Sequence, residues 1–332
     1  MESRLGSAIL TGVCVFYFRI VFFKRTRELS LHDLFNPRSR IGNAMSIVLA
    51  TSVWLGGQAG ESHGAAHLVD FAERRAAQLL DWKSRGPDWQ ERGGGRGLRG
   101  VAIDGEEIWI AASDALHQFS RDFELKKSFR APFLADCQEI AVFERRLYVV
   151  SAAFDSILGF DLEARRFDWG LHIHDGEAGL LGSPFEPHSA LGPSPAADLQ
   201  LNSVYCDPRG MFISGARTQG LLHFDARRIV RLVSLPRGVH NARPWRDGVL
   251  FNDTEAGVAR FMTPGHNKAF RPPLPGFARG LCVLDGDRFA SGSAPATVTL
   301  HDLEAMKTIM SITLADNPRH SIHSLVPWPF PA

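Results

Sequence analysis

The sequence predicts an all-β, six-bladed β-propeller whose ring is closed by its own C-terminus. Three observations predict it. A short unit, clearest in GVHNARPWRDGVLFNDTEAGVARF from Gly238 to Phe261, recurs in six copies along the chain. Within each copy, runs of alternating apolar residues are separated by tight polar turns such as Asp247-Gly248, which is the pattern of short antiparallel strands. Four such strands per unit at a period of roughly forty residues mark a propeller blade rather than a sandwich or a helical solenoid.

The opening strand of the unit reads GLRGVAIDGEE from Gly97, DCQEIAVFERR from Asp136, LQLNSVYCDPRG from Leu199, VHNARPWRDG from Val239, ARGLCVLDGDR from Ala278 and SIHSLVPWP from Ser321. The second strand follows as IWIAASD, LYVVSAAFD, MFISGAR, VLFNDTE and RFASGSA, and the sixth copy finds its second strand, IVLATSV from Ile47, at the opposite end of the chain. The C-terminal strand is therefore expected to pair into the N-terminal blade, which removes the open sheet edges that would otherwise recruit other chains. This reading makes residues 45–330 one propeller, with a loop insertion at 172–198 where the interval between copies lengthens, and leaves 1–44 as an extension.

The extension contains LGSAILTGVCVFYFRIVFF from Leu5 to Phe23, followed by KRTR. It is nearly long enough to cross a bilayer, but Arg19 interrupts it. Residues 5–23 are thus either a membrane anchor with the basic side in the cytoplasm, or part of a segment upstream of a true start at Met45. A cytoplasmic protein is the first expectation and a membrane-anchored one the alternative. Cys137, Cys206 and Cys282 fall in opening strands of different units with no CxxC spacing, where a small thiol fills space in a reducing compartment. A formal charge of +1 with both signs interspersed excludes a polyanion stripe, so no nucleic-acid partner is expected.

Two loops carry chemistry worth weighing. The connector between the first and second units contains three glycines after Arg92, a backbone arrangement that can cradle an anion, although no strand-loop-helix context follows it. The insertion HIHDGEAGLLGSPFEPHSALGPSPAAD from His172 is rich in Gly, Pro and Ala and reads as a loop across one face, suited to a protein partner. His172, His174 and His188 in it are a candidate metal set, weakened by the lack of a rigid frame.

Laying the opening strands over one another brings Arg99, Gln138, Asn202, Asn241, Arg279 and His323 into one column. The next column is Gly100, Glu139, Ser203, Ala242, Gly280 and Ser324, and the apolar residues Val101, Ile140, Val204, Leu281 and Leu325 come after it. Burying an unpaired charge costs several kcal/mol, so such a column cannot sit in a packed core. In a propeller the opening strand lines the central channel, and the column is expected there, facing water or a ligand. Long hydrogen-bonding side chains, including two arginine forks suited to carboxylate, phosphate or sulfate, favour a small polar or anionic ligand. His240 and Glu139 are the candidate catalytic groups. No HExxH or paired-carboxylate spacing supports a zinc protease or a two-carboxylate hydrolase.

Through DCQEIAVF, QLNSVYCD, VHNARPWRDG and LPGFARGL, in that order over most of residues 97–295, the chain resembles a bacterial family of conserved hypothetical six-bladed propellers of unsettled activity. The resemblance implies the fold and no reaction. Gln138 and Gln200 stand where that pattern leads one to expect histidine, which argues against carrying over any metal chemistry. More distantly the chain is similar to the calcium-dependent six-bladed lactonases of the gluconolactonase and strictosidine synthase type. That likeness implies calcium held by Glu139, Asn202 and Asn241, with Arg99 and Arg279 opposing it by repulsion. The expected function is binding of a small polar or anionic ligand at the axial mouth without a cofactor, as an accessory to a biosynthetic pathway. The alternatives are a lactonase- or lyase-type enzyme at the same site, and a scaffold that docks a protein through 172–198.

Overall fold

The computed structural model describes residues 46–57, 60–83, 97–177, 179–270 and 276–331. The expected extension 1–44 and the triple glycine lie outside the described residues. The strands form six antiparallel sheets, each one blade. Blade 1 comprises β1 (Ile47–Trp54), β2 (Ser62–Asp70) and β3 (Arg75–Lys83), with β25 (His320–Pro327) as its innermost strand. Blade 2 is β4 (Val101–Asp104), β5 (Glu107–Ala112), β6 (Ala115–Phe119) and β7 (Leu125–Phe129). Blade 3 has five strands, β8 (Cys137–Phe143), β9 (Arg146–Ser151), β10 (Ser156–Asp161), β11 (Arg166–Gly176) and β12 (Gly179–Phe185). Blade 4 is β13 (Leu201–Asp207), β14 (Gly210–Gly215), β15 (Gly220–Phe224) and β16 (Ile229–Ser234). Blade 5 is β17 (Val239–Trp245), β18 (Gly248–Asp253), β19 (Val258–Thr263) and β20 (His266–Phe270), and blade 6 is β21 (Arg279–Asp285), β22 (Arg288–Ser293), β23 (Thr297–Asp302) and β24 (Lys307–Thr313). The innermost strands touch in the cyclic order β25, β4, β8, β13, β17, β21 and back to β25, so the ring is complete.

The core is divided as the ring demands. One apolar cluster lies between each pair of neighbouring blades, for example Trp109, Phe129, Phe160 and Phe167 between blades 2 and 3, and Leu250, Phe270 and Phe289 between blades 5 and 6. The second strand of each blade is buried on both faces, as in IVLATSVW and GVLFND, because both of its faces meet a neighbouring sheet. The outermost strands alternate or are exposed, as in LKKSF, whose Lys126 and Lys127 keep the edge polar. Among the described residues, no helix is long and apolar enough to cross a membrane.

The stretch 172–198 differs from the loop expected of it. Its first half is a hairpin: β11 runs on to Gly176 and pairs with β12 from Gly170↔Phe185 to Gly176↔Gly179. Leu171 and Ile173 on alternate positions are fully buried against blade 4, and that period-two alternation holds the hairpin despite its glycines and proline. The rest, 186–200, has no strand. It is tied to the turn after β9 by Ala196 N–H donating to the Ala153 carbonyl (3.0 Å) and by Leu199 and Leu201 N–H donating to the Asp155 carboxylate (2.8 and 3.1 Å).

Closure by the tail is seen in full. β25 pairs with β1 from Val48↔Pro327 to Trp54↔His320, and Trp328 N–H donates to the Ile47 carbonyl beyond the ladder (3.0 Å). Ile322 and Leu325 of β25 are buried between blades 6 and 1. Deleting Arg319 to Ala332 is therefore expected to abolish the cooperative thermal transition followed by circular dichroism. A truncated protein with an unchanged melting curve contradicts this closure.

Candidate ligand site on the channel axis

The site begins with a backbone irregularity. In every blade the innermost strand carries one residue more than its partner at the same level, a β-bulge. Leu201 and Ser203 pair with adjacent residues Gly215 and Ser214, leaving Asn202 extra, and Ile322 and Ser324 pair with adjacent Ser52 and Thr51, leaving His323 extra. The same shift occurs between Cys137 and Ile140, between His240 and Arg243, and between Arg279 and Leu281. In blade 2 the Arg99 N–H and the Gly100 carbonyl both bond to Ala111 (2.9 and 2.8 Å). A bulge bends the strand and redirects a side chain that the ladder would otherwise point between the sheets.

These ladders set the equivalences. Tyr205↔Phe212 and Arg243↔Leu250 occupy the same step of blades 4 and 5, so the residue matching Asn202 is His240, not Asn241. The polar ring is thus Arg99, Gln138, Asn202, His240, Arg279 and His323, and Asn241 drops into the small-residue layer behind it, with Gly100, Glu139, Ser203, Gly280 and Ser324. The reason is conformational. Asn241 has φ +55°, and its equivalent in blade 6, Gly280, has φ +75°; asparagine and glycine are the residues that tolerate this left-handed backbone. Gly100 in the same layer has no room for a side chain, since a Cβ there would run into the Gln138 carbonyl of the next blade.

The ring residues meet around the axis. His323 Nε2 lies 3.2 Å from Gln138 Oε1, two blades away. Gln138 spends its amide N–H on the Asp136 carbonyl (3.3 Å), so Oε1 accepts and His323 donates, leaving His323 Nδ1 bare, buried and without a partner among the described residues. His240 Nδ1 faces Thr254 Oγ1 (2.9 Å) and the Gly238 carbonyl (3.3 Å), while the Thr254 hydroxyl donates to the Ala278 carbonyl (2.7 Å). His240 must then carry its proton on Nδ1, which makes Nε2 an acceptor. Burial, then the positive charges around it, hold His323 well below the usual histidine range; burial followed by the Arg279 charge brings His240 down to about 3.

The two arginines differ. Arg99 donates to Asp136 Oδ1 (2.6 Å) and to the Cys137 carbonyl (3.2 Å) and is balanced by that carboxylate. Arg279 has no hydrogen-bond or ion-pair partner among the described residues, its Nε is buried without one, and burial followed by the Arg99 charge lowers it to about 10. An arginine stays charged at neutral pH even so. The polar mouth therefore offers one uncommitted cation beside neutral histidines and amides.

Behind the ring, Glu139 accepts from Ser203 Oγ (2.6 Å) and from Arg243 Nη2 (3.2 Å), the latter again reaching across a blade. Burial pushes the Glu139 carboxyl up, opposed by Arg243. Arg243 Nη2 also donates to the Leu281 carbonyl (2.9 Å), and the guanidinium lies 5.5 Å over the Tyr205 ring. The Asn241 oxygen accepts from Gly280 N–H (2.8 Å) and Asn252 (3.0 Å), and the Asn202 amide donates to the Val239 carbonyl (2.8 Å). The oxygens that a calcium ion would need at Glu139 and Asn241 are thus held by protein donors, one of them the Arg243 cation, and the donor set does not fit a divalent metal. Away from the axis, His172 and His174 stack at 5.1 Å and bond to the Phe154 carbonyl (2.9 Å) and Ser183 Oγ (2.9 Å). Among the described residues there is no group of three or more His, Cys, Asp or Glu placed to hold a metal. Cys137 and Cys282 are buried and their thiols pushed up, so neither is an activated nucleophile.

Arg243 and the placement of His240 were missed in the sequence, yet both left a signal. Counting back eight residues from the first residue of the second strand gives Arg99 from Glu107, Gln138 from Arg146, Asn202 from Gly210 and His240 from Gly248. Arg243 then stands level with Ala102, Ala141, Tyr205, Cys282 and Val326, where a charge requires a partner, and Glu139 in the neighbouring small column supplies it.

No protein-family model matches the sequence, and no curated protein matches it. Solved structures do. The chain is similar to a chain in a crystal structure of a nidogen/laminin complex, with a TM-score of 0.56 and 11% identity over 84% of this chain and 97% of that one. It is similar to a protein of unknown function from Bacteroides caccae, with a TM-score of 0.56 and 11% identity over 86% of this chain and 100% of that one. Similarity at that identity shows the six-bladed propeller fold.

The buried neutral histidines make stability fall in mild acid. Between His240's ordinary value of 6.5 and its value of about 3 here, the unfolded chain holds a proton that the folded chain refuses, so stability drops as pH falls through that window. Glu139, shifted upward, acts in the opposite sense, and comparison with His240→Gln isolates the histidine. From urea midpoints at about pH 7.5 and about pH 5.5, wild type is expected to lose about 1 kcal/mol more than His240→Gln. Equal losses contradict the neutral assignment.

Proposed function

We propose that this propeller binds a small anion, bearing a carboxylate, phosphate or sulfate group, at the polar mouth of its channel. The observation that carries the reading is Arg279. Its guanidinium stands on the axis without a carboxylate partner among the described residues, where a second arginine is already neutralised by Asp136. Desolvated guanidinium groups bind planar or tetrahedral oxyanions through paired hydrogen bonds. His240 and His323 of the two flanking blades stand beside it, each with a ring nitrogen able to fix a remaining polar group of the ligand. His240 Nε2 could also serve as a base, which keeps a lyase- or lactonase-type reaction as the second reading; it would run without calcium, given how the oxygens of Glu139 and Asn241 are engaged.

The test is thermal shift with inorganic phosphate, sulfate and citrate against chloride at matched ionic strength. Stabilisation that grows with the logarithm of ligand concentration is expected for at least one of the three. Arg279→Leu should weaken that ligand at least tenfold, about 1.4 kcal/mol. No shift with any of the three, or an equal shift in Arg279→Leu, contradicts the reading.

A further inference from the structure

The channel has a second mouth, and it is built differently. Where the innermost strands end, a cavity of about 820 Å³ is lined by residues of all six of them, from Ile103 of blade 2 to Val326 of blade 1. Its size falls in the range of small-molecule pockets, about 300–1,000 Å³. None of the six ring residues lines it, and of the layer behind them Glu139 and Ser324 do. Much of the lining is apolar, including the half-buried Val142, Trp245 and Val283 and, from the tail, Phe330. At the floor lies one cation. Arg243 gives Nη2 to Glu139 and Leu281, whereas Nη1 makes no hydrogen bond among the described residues and Nε is buried without one. The Tyr205 ring beneath fixes the plane of the guanidinium.

From the cavity and its floor we infer a second ligand site, for a monocarboxylate with an apolar body, its acid group on Arg243 and its chain or ring against the walls. An apolar pocket with a few convergent polar groups binds by burying the body and orients by the polar contact. A free donor on a cation at the bottom of an apolar pocket selects a carboxylate over an alcohol of equal length, because the charge-assisted bond is formed away from water. Glu139 does not bar this. It also accepts from Ser203, and it engages Arg243 through Nη2 alone, which leaves Nη1 for an incoming carboxylate.

Calorimetric titration of the full chain with octanoate, and in parallel with octanol, tests the site. Saturable binding of one octanoate per chain is expected, with octanol at least tenfold weaker. Val142→Trp fills the cavity from β8, where the side chain is only half-buried, and should abolish octanoate binding. The paired variant Glu139→Gln with Arg243→Met, which leaves no lone buried charge, should weaken octanoate at least tenfold and leave octanol unchanged. Circular dichroism establishes that the variants fold, and should the paired one fail, Val142→Trp decides alone. No saturable octanoate binding, octanol binding as tight as octanoate, or affinity unchanged in Val142→Trp each overturns the inference. The phosphate response assigned to Arg279 should survive in Val142→Trp, so failure at one mouth is distinguishable from failure at the other.

Discussion

Each innermost strand is one residue too long for its partner at the same height, and the rest of the site follows from that constraint. A regular strand alternates its side chains between the two neighbouring blades, where only apolar groups are stable. The bulges at Asn202, His323 and the same level of the other blades break the alternation there and turn one polar side chain per blade to the axis. Repetition around six blades turns a local irregularity into a ring. The left-handed backbone at Asn241 and Gly280 and the bare Gly100 are what the bulges require of the layer behind.

That geometry sorts the channel into three levels with different electrostatics. At the polar mouth, histidines are kept neutral by burial and by the arginines, and Arg99 is answered by Asp136. In the middle, Glu139 and Arg243 form a pair buried deeply enough that removing either partner would strand a charge, at a cost of about 3–5 kcal/mol. Below it the walls turn apolar. A channel with charge at one end and an apolar vestibule at the other is not what a simple water-filled hole requires.

Much of this was legible in the chain. The six copies of the unit and the split copy at the termini fix the blade count and the closure, because strand period and turn chemistry are local properties. The polar column was legible for Arg99, Gln138, Asn202, Arg279 and His323, whose spacing from the turn is regular or nearly so. It failed at Asn241, chosen for its polarity although its place is dictated by backbone conformation, while His240 carries the ring. The hairpin of β11 and β12 was hidden by glycine and proline, whose loop signal outweighed the alternation of Leu171 and Ile173. The Glu139–Arg243 contact is invisible to a strand-by-strand reading, since it joins positions 104 residues apart across the axis.

That contact gives the most direct test of the claim that the innermost strands share one axis. In a double-mutant cycle on Glu139→Gln and Arg243→Met, read by urea unfolding, each single change is expected to cost several kcal/mol and the pair together markedly less than their sum, a coupling of about 1 kcal/mol or more. Strictly additive costs would mean that blades 3 and 5 do not meet across the channel, and the ring described here would not exist.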